Sequence, residues 1–433
     1  MSTLGKKLIL IELNEINFDV VKTYLNDKKL HTLSYLLQGF SCITEAELEY
    51  ENLEPWIQWP SVHSGLSATE HKIFRLGDVV DAGIPQIFEQ LEQKGYKVGC
   101  VSAMNAVNRL KTPSYFIPDP WTKTLSDSSW WSRKLTPVIA QIINDNSQSR
   151  ITLTSAFYLI IAVLRFAQLK NVFTYCLLIL RSKNAPWRKA LIFDLLLHDI
   201  HLNMYKKKQP DFSTVFFNAG AHIQHHYFYN IKDLPNQNKN PEWYVKHRED
   251  PFYEMLVIYN RILDDYVNFD GTQWIVATGL SQKAYEDNDF YYRLKDHEVF
   301  LKMLNIGFKN LYPRMTRDFL IEFDSYQASN LAQIKLSALF SKKDNIKIFD
   351  EIDNRGTSLF VTLTYNKEIN KDFEITDGVK FYYFFDKVTF VAIKNGMHQS
   401  KGFLFLSQEL EQYAHKNFGH VKNIYTMIQD YFK

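Results

Sequence analysis

Cysteine is scarce in this chain. Three residues, Cys42, Cys100 and Cys176, stand far apart and odd in number. That excludes a disulfide framework and a thiolate zinc site. Net charge is nearly absent too: +2 over 433 residues, so global electrostatics give no argument for nucleic acid. No apolar run is long. Leu8–Ile11 after the basic N-terminus is too short for a signal peptide and reads as a first strand. Ile151 to Ala167 is broken by Arg165 and is only about as long as the shortest membrane span. The expected location is the cytoplasm, at most peripheral to the inner face of a membrane. Internal repeats and low-complexity segments are lacking. Finally, no Asp or Glu occurs from Phe212 to Asn230, which matters below.

What is present is a globular composition, 46% hydrophobic and 23% charged. Aromatics reach 15%, which favours strands and a large buried interior. The length exceeds what one compact core usually holds, so a large core with insertions or two lobes is expected. Residues 7–125 alternate strand and helix patterns. Lys7–Leu13 is a buried strand, Phe18–Leu37 has helical periodicity, Ile84–Gly95 is an amphipathic helix stopped by glycine, and Tyr96–Ser102 is a strand. Short links in that order indicate a parallel sheet.

Residues 126–209 read as a helical insertion. From Arg165 to Lys208 nine Lys or Arg face only Asp194 and Asp199. The segment is either a cap packed on the core or a cap that touches an anionic membrane surface or a phosphate-bearing substrate. The α/β pattern then resumes with the strand Phe212–Phe217, the helix Tyr253–Phe269, the strand Trp274–Thr278 and a helix over Tyr291–Asn305. Residues 310–375 read as a small α+β insertion, with a helix near Asn330–Phe340 and strands near Ile346–Phe349 and Ser358–Thr364. Strands Val388–Ile393 and Phe403–Leu406 close the pattern. The predicted core is therefore 1–125 with 210–309 and 376–433.

The densest chemistry is Asn218-Ala219-Gly220-Ala221-His222-Ile223-Gln224-His225-His226, directly after a strand. Ligands bind at the carboxyl ends of strands in open α/β sheets, and imidazole ligates metals and moves protons near neutral pH. On a helix, His222 shares a face with His225 or His226; the alternative is a capping and hydrogen-bonding role near a helix start. His398 follows Gly396, where the backbone could approach a ligand. Glu12 and Asn14 share one side of the first strand, and Glu12 is the candidate general acid or base. Surface solvation is the expectation for Glu15. Gln58 and Trp59, beside Pro60, would give a wall for stacking on a sugar or base, or else a packed turn. Ser61, His63 and Ser64 are too close in sequence for a good nucleophile–base pair. Arg293, Asp296 and His297 read as a solvated or structural cluster.

The order of these segments resembles the alkaline phosphatase-like superfamily, particularly its phosphodiesterase and nucleotide pyrophosphatase branch. The matching pieces are the strand ending at Glu12-Leu13-Asn14, the stretch Pro55–Leu66, Ala221-His222-Ile223-Gln224-His225, Gly279-Leu280-Ser281-Gln282, and Gly396-Met397-His398 with Gly402. The resemblance implies a mostly parallel central sheet flanked by helices and a site holding two divalent metals. This chain departs from it where the metals would bind. Asn14 stands at the first aspartate, Gln58 at the nucleophile, Ala221 at the aspartate of Asp-x-x-x-His, and Leu280 and Ser281 at Asp-His. Only His225 and His398 remain, and zinc wants three or four protein ligands. No metal ligand set is therefore expected, with zinc or manganese entering only under a hydrolase reading.

Three functions follow. The first is a divergent, metal-independent enzyme with Glu12, His225 and His398 as catalytic groups. Asn14, Gln58, Trp59, His63, Asn218, His222 and Ser281 would bind substrate, a phosphate-activated sugar or lipid-linked glycan, in a glycosyl transfer of surface polysaccharide synthesis. The second is a metal-dependent phosphodiesterase or phosphatase. The third is a non-catalytic pseudo-hydrolase that binds a glycan, nucleotide or partner.

Overall fold

The computed structural model describes residues 5–144, 152–232, 234, 238–314, 317–414 and 419–433. Their contacts divide the chain into two compact units. One runs from the N-terminal strand to Ala284 and resumes at Gly396; the other is centred on Tyr285–Asn395.

The first unit is built on β1 (Leu8–Leu13), β2 (Ser41–Glu45), β3 (Val98–Val101), β4 (Tyr115–Ile117), β5 (Phe212–Phe217), β6 (Gln273–Ala277), β7 (Ser281–Ala284), β8 (Gly396–Gln399) and β9 (Lys401–Leu406). Seven of these form one sheet in the order β2-β9-β6-β1-β5-β3-β4. Strands β6, β1, β5, β3 and β4 run parallel. Strand β9 enters antiparallel between β2 and β6. The result is a mixed α/β architecture with a mostly parallel central sheet, as expected. β7 and β8 form a separate antiparallel pair that sets His398 opposite Gln282.

Strand alternation explains the layers. Ile9, Ile11 and Leu13 of β1 join Val215, Phe217 and Val276 on one face, with Leu195, Phe252 and Ile262 from helices. Leu8 and Leu10 face the other way with Phe212, Phe216 and Ile275, against Trp59, Phe88 and Ile424. Buried on both sides, these strands read as continuous apolar runs.

The helices used below are α1 (Pro55–Ser64), α2 (Ile87–Gln93), α3 (Trp130–Asn144), α4 (Leu153–Phe166), α5 (Leu169–Arg181), α6 (Trp187–Lys208), α7 (Ala219–Tyr227), α8 (Pro251–Val267) and α9 (Asn423–Tyr431). The 126–209 stretch thus holds α3 to α6. The expected single helix over Phe18–Leu37 is broken into Phe18–Val21, two 3-10 turns and His31–Gln38, because Asp27 accepts from the Lys29 amide and starts a new turn.

The second unit takes in the expected 310–375 insertion and more on both flanks. Phe290–Leu294 pairs with Val388–Ile393 and ties those flanks in. This corrects the helix expected over Tyr291–Asn305. Phe290, Tyr292 and Leu294 alternate inward as a strand, and helix covers only His297–Met303, after an Asp296 cap. Ile346–Phe349 is likewise no strand and carries one isolated bridge, Lys347 to Phe340.

Candidate functional site

The parallel strands β1, β5 and β6 deliver Asn14, Asn218 and Thr278 to one end of the sheet. Just beyond β1 the backbone turns sharply. The Asn14 amide donates to Phe217 O and the Glu15 amide to Thr278 O. Glu15 adopts φ +63°, a left-handed conformation uncommon for a residue with a side chain. Gln224 of α7 holds the turn. Its Nε2 donates to Glu15 O at 2.8 Å and its Oε1 accepts from the Asn17 amide at 3.1 Å.

That turn redirects the Glu15 carboxylate. Its Oε2 lies 3.0 Å from His225 Nε2 and 3.0 Å from His398 Nε2, and the two Nε2 atoms are 3.2 Å apart. Gln282 Nε2 donates to the same oxygen, and Asn14 Nδ2 donates to Oε1 at 3.0 Å. Asn14 is itself held by Asn218 and by the Trp59 indole. Glu15 is buried, whereas the His225 side chain is 33% exposed. A reactant can therefore reach the cluster from the histidine side.

Electrostatics follow the geometry. Burial opposes charge on Glu15, yet His398 and His225 more than offset it and hold the carboxyl well below its usual range. Burial likewise opposes charge on His398, but Glu15 and then Glu54 push it up to about 9. The other two histidines of α7 behave differently. His222 and His226, one turn apart, meet edge to face with ring centroids 4.7 Å apart. Burial and the neighbouring His225 push His222 down to about 4.

Two glycines permit this packing. A Cβ on Gly220 would lie 1.9 Å from Ile16 Cδ1, so its absence lets the 15–17 turn press against α7. A Cβ on Gly396 would lie 2.1 Å from Gln282 Oε1 and 2.7 Å from Gln224 O. The close approach at Gly396 is thus to protein, where a ligand was expected. The N-terminus of α7 is capped from α6 by buried Asp194, which accepts from the Ala219 amide and Tyr259 Oη, both at 2.7 Å.

Several expected residues lie elsewhere. Glu12 faces α1 on the same side as Leu10 and is fully buried. Its Oε1 meets His63 Nε2 at 2.9 Å and Thr214 Oγ1 at 2.7 Å. The carboxylate that joins His225 and His398 is Glu15, which corrects both the role expected of Glu12 and the solvation expected of Glu15. Trp59 and Gln58 are wholly buried on α1, a helix rather than a turn. Trp59 offers no face to a ligand, and Gln58 bonds Asn52 O and the Glu47 amide. His63 is equally sealed. Buried Ser281 donates to Lys401 O and accepts from Gln399, tying β7 to its neighbours. Ser61 bonds His71 at 3.0 Å inside the protein. Asn14 and Asn218 do reach the site, as supports for Glu15.

Glu15, His225 and His398 also meet the requirements of a cation site, and they are the group of three such donors found among the described residues. Ligand bonds of about 2.0–2.2 Å around a tetrahedral ion would set donors roughly 3.4 Å apart. The observed 3.0, 3.0 and 3.2 Å are a few tenths tighter. The donor chemistry agrees: one carboxylate oxygen and two imidazole nitrogens are donors that an ion of the zinc class takes. One ion fits these residues; a second set of ligands is not present among the described residues.

No protein-family model matches the sequence, and no curated protein matches it. Solved structures do align with it. Phosphonoacetate hydrolase of Sinorhizobium meliloti 1021 is 10% identical, with 99% of this chain and 96% of that one covered and a TM-score of 0.42. Murine ectonucleotide pyrophosphatase/phosphodiesterase 5 is 9% identical, with 98% and 95% covered and a TM-score of 0.40. Thermus thermophilus alkaline phosphatase is 11% identical, with 98% and 91% covered and a TM-score of 0.44. Overlap at this level carries over neither residues nor activity.

Proposed function

We propose that the chain is an enzyme acting on a phosphate-bearing small molecule, with Glu15, His225 and His398 as its reaction centre. The observation that supports this is the convergence of one buried carboxylate oxygen and two imidazole nitrogens within 3.2 Å, at the carboxyl ends of parallel strands and open through His225. In this reading the three side chains hold one divalent ion of the zinc or manganese class. Such an ion supplies a Lewis acid for a phosphate oxygen. Gln282 and Asn14 fix the Glu15 carboxylate, and Gln224 fixes its backbone. The sealed burial of Gln58 at the position of the superfamily's nucleophile disfavours a covalent phospho-enzyme. Attack by water or by a substrate hydroxyl is the remaining course. Within the substrate class, a phosphate-activated sugar or lipid-linked glycan suits a centre that stabilises one leaving phosphate rather than clamping a phosphoryl group between two ions.

A second reading is favoured by the hydrogen bonds themselves. Glu15 Oε2 can accept from both imidazoles with no ion, and the trio then works as a proton-transfer group in a metal-independent transfer. Metal content of the purified wild type and of Glu15→Gln, measured by plasma mass spectrometry beside turnover of aryl phosphate esters and nucleotide sugars, separates the readings. One ion per chain, lost in Glu15→Gln together with turnover, is the expected result. Turnover without an ion selects the second reading. Ligand binding with neither ion nor turnover would leave a binding module.

A further inference from the structure

Helices α4 and α5 leave large apolar side chains in solvent. On α4, Leu153 and Leu164 are 91% and 81% exposed, and Phe157 and Ile160 are exposed between them. Spacings of four, three and four residues place them on one stripe. The other side of α4 is buried through Ala162 and Phe166. α5 repeats the pattern. Leu169 and Phe173 are 93% and 72% exposed, with Ile179 and Leu180 further along, while Tyr175 and Leu178 face the core. Only Ala167 and Gln168 separate the helices. Each stripe is a run of large apolar side chains in solvent, whereas an ordinary surface shows such residues scattered singly.

The charge that this stretch of sequence brings has one sign. From Thr152 to Phe193 there is no Asp or Glu, against Arg165, Lys170, Arg181, Lys183, Arg188 and Lys189. Lys170 and Arg188 are engaged by Asp265 and Glu254. Arg165, Arg181, Lys183 and Lys189 meet no acidic side chain among the described residues. Trp130, half exposed, stands edge-on to Tyr158 of α4, and Trp and Tyr favour the headgroup level of a bilayer. At 14 and 13 residues both helices are shorter than the roughly 20 needed to span, and no helix among the described residues is long and apolar enough to cross a membrane.

We propose that α4 and α5 are a docking surface for an anionic lipid bilayer, lying in the headgroup plane with their apolar stripes in the acyl boundary. Charge complementarity decides the occupant. A second copy related by a two-fold axis would bring the same unmatched cations together, whereas anionic headgroups neutralise them. This surface does not rest on the reaction proposed above.

The test is flotation of the full chain with vesicles of phosphatidylcholine alone and of phosphatidylcholine with phosphatidylglycerol. Two variants accompany it, Leu164→Ser with Leu169→Ser and Phe173→Ser, and Arg181→Ala with Lys183→Ala and Lys189→Ala. All six positions are solvent-facing, so unchanged circular dichroism and thermal midpoint are expected. The wild type should float with the anionic vesicles. The serine variant should bind about tenfold or more weakly. Each removed cation should weaken binding roughly fivefold and flatten its salt dependence. The proposal is overturned by a wild type that stays with the unbound fraction, by either variant binding as the wild type does, or by self-association in light scattering that the serine variant abolishes.

Discussion

Replacing Asp194 with asparagine tests how α7, the helix that carries His225, is held in place. Asp194 is buried and accepts from the Ala219 amide and from Tyr259 at 2.7 Å each, and from the Asn218 amide at 3.3 Å. Burial raises its carboxyl from 3.8 to about 6, against the lowering effect of those donors. An acid whose folded value is raised binds its proton more tightly in the folded state. Its contribution is complete below about pH 4 and is lost as pH rises through about 6. At about 1.4 kcal/mol per pH unit, the loss is about 3 kcal/mol. Asp194→Asn keeps an acceptor oxygen and cannot ionise. At pH 4 it should be less stable than wild type by about 1–2 kcal/mol, the cost of burying an amide NH2 among groups that donate here. By pH 7 the gap should close and reverse. Urea midpoints of both proteins at several pH values supply the difference, in which other titrating groups such as His71, pushed down to about 4 by burial, cancel. Parallel curves would refute the dominance of burial. A gap that widens with pH would mean that the ionised carboxylate stabilises the helix N-terminus and that the shift has the opposite sign.

Other expectations follow from the same contacts. Gly220→Ala drives a methyl onto Ile16 and should cost about 1–3 kcal/mol; adding Ile16→Val removes the clashing Cδ1 and should restore most of it in a double-mutant cycle read by urea midpoints. Gln224→Ala strips the Glu15 carbonyl and Asn17 amide of their partner. It should cost about 1–3 kcal/mol and lower metal content while His225 and His398 remain, seen by denaturation and mass spectrometry. His63→Leu takes from buried Glu12 Oε1 one of its partners and leaves Thr214; it should cost about 1–3 kcal/mol, whereas changing Glu12 to leucine as well should cost distinctly less. Equal losses in the single and double variants would dispose of the buried-pair argument.

Much of the architecture was legible because it obeys simple periods. Buried parallel strands are apolar runs, and α8 and β9 fall where pattern and turn residues put them. The carboxylate of the site was not. Alternation correctly put Glu12 and Asn14 on one side of β1, but that side faces α1 and is sealed by Trp59 and His63. Glu15 escapes the alternation through a left-handed backbone, and nothing local marks it: the hydrogen bonds that stabilise it come from Thr278 and Gln224, more than two hundred positions away. Gln282 is silent in the sequence because a lone glutamine at a strand start carries no signal until its partner is known. Phe290–Leu294 is ambiguous because a short apolar-rich run suits either period, and its antiparallel partner lies nearly a hundred residues on.

The place of β9 within the sheet has a consequence for biosynthesis. β9 is the last strand of the sheet in chain order, yet it sits inside, between β2 and β6. While the ribosome has delivered β1 to β6 alone, β2 has no seat and the β6 edge is bare, an invitation to pair with another chain. His398, just ahead of β9, arrives in the same late instalment. A nascent chain therefore stays open-edged, and Glu15 and His225 stay without their third partner, until β9 has been translated, the interval in which chaperones have most to protect.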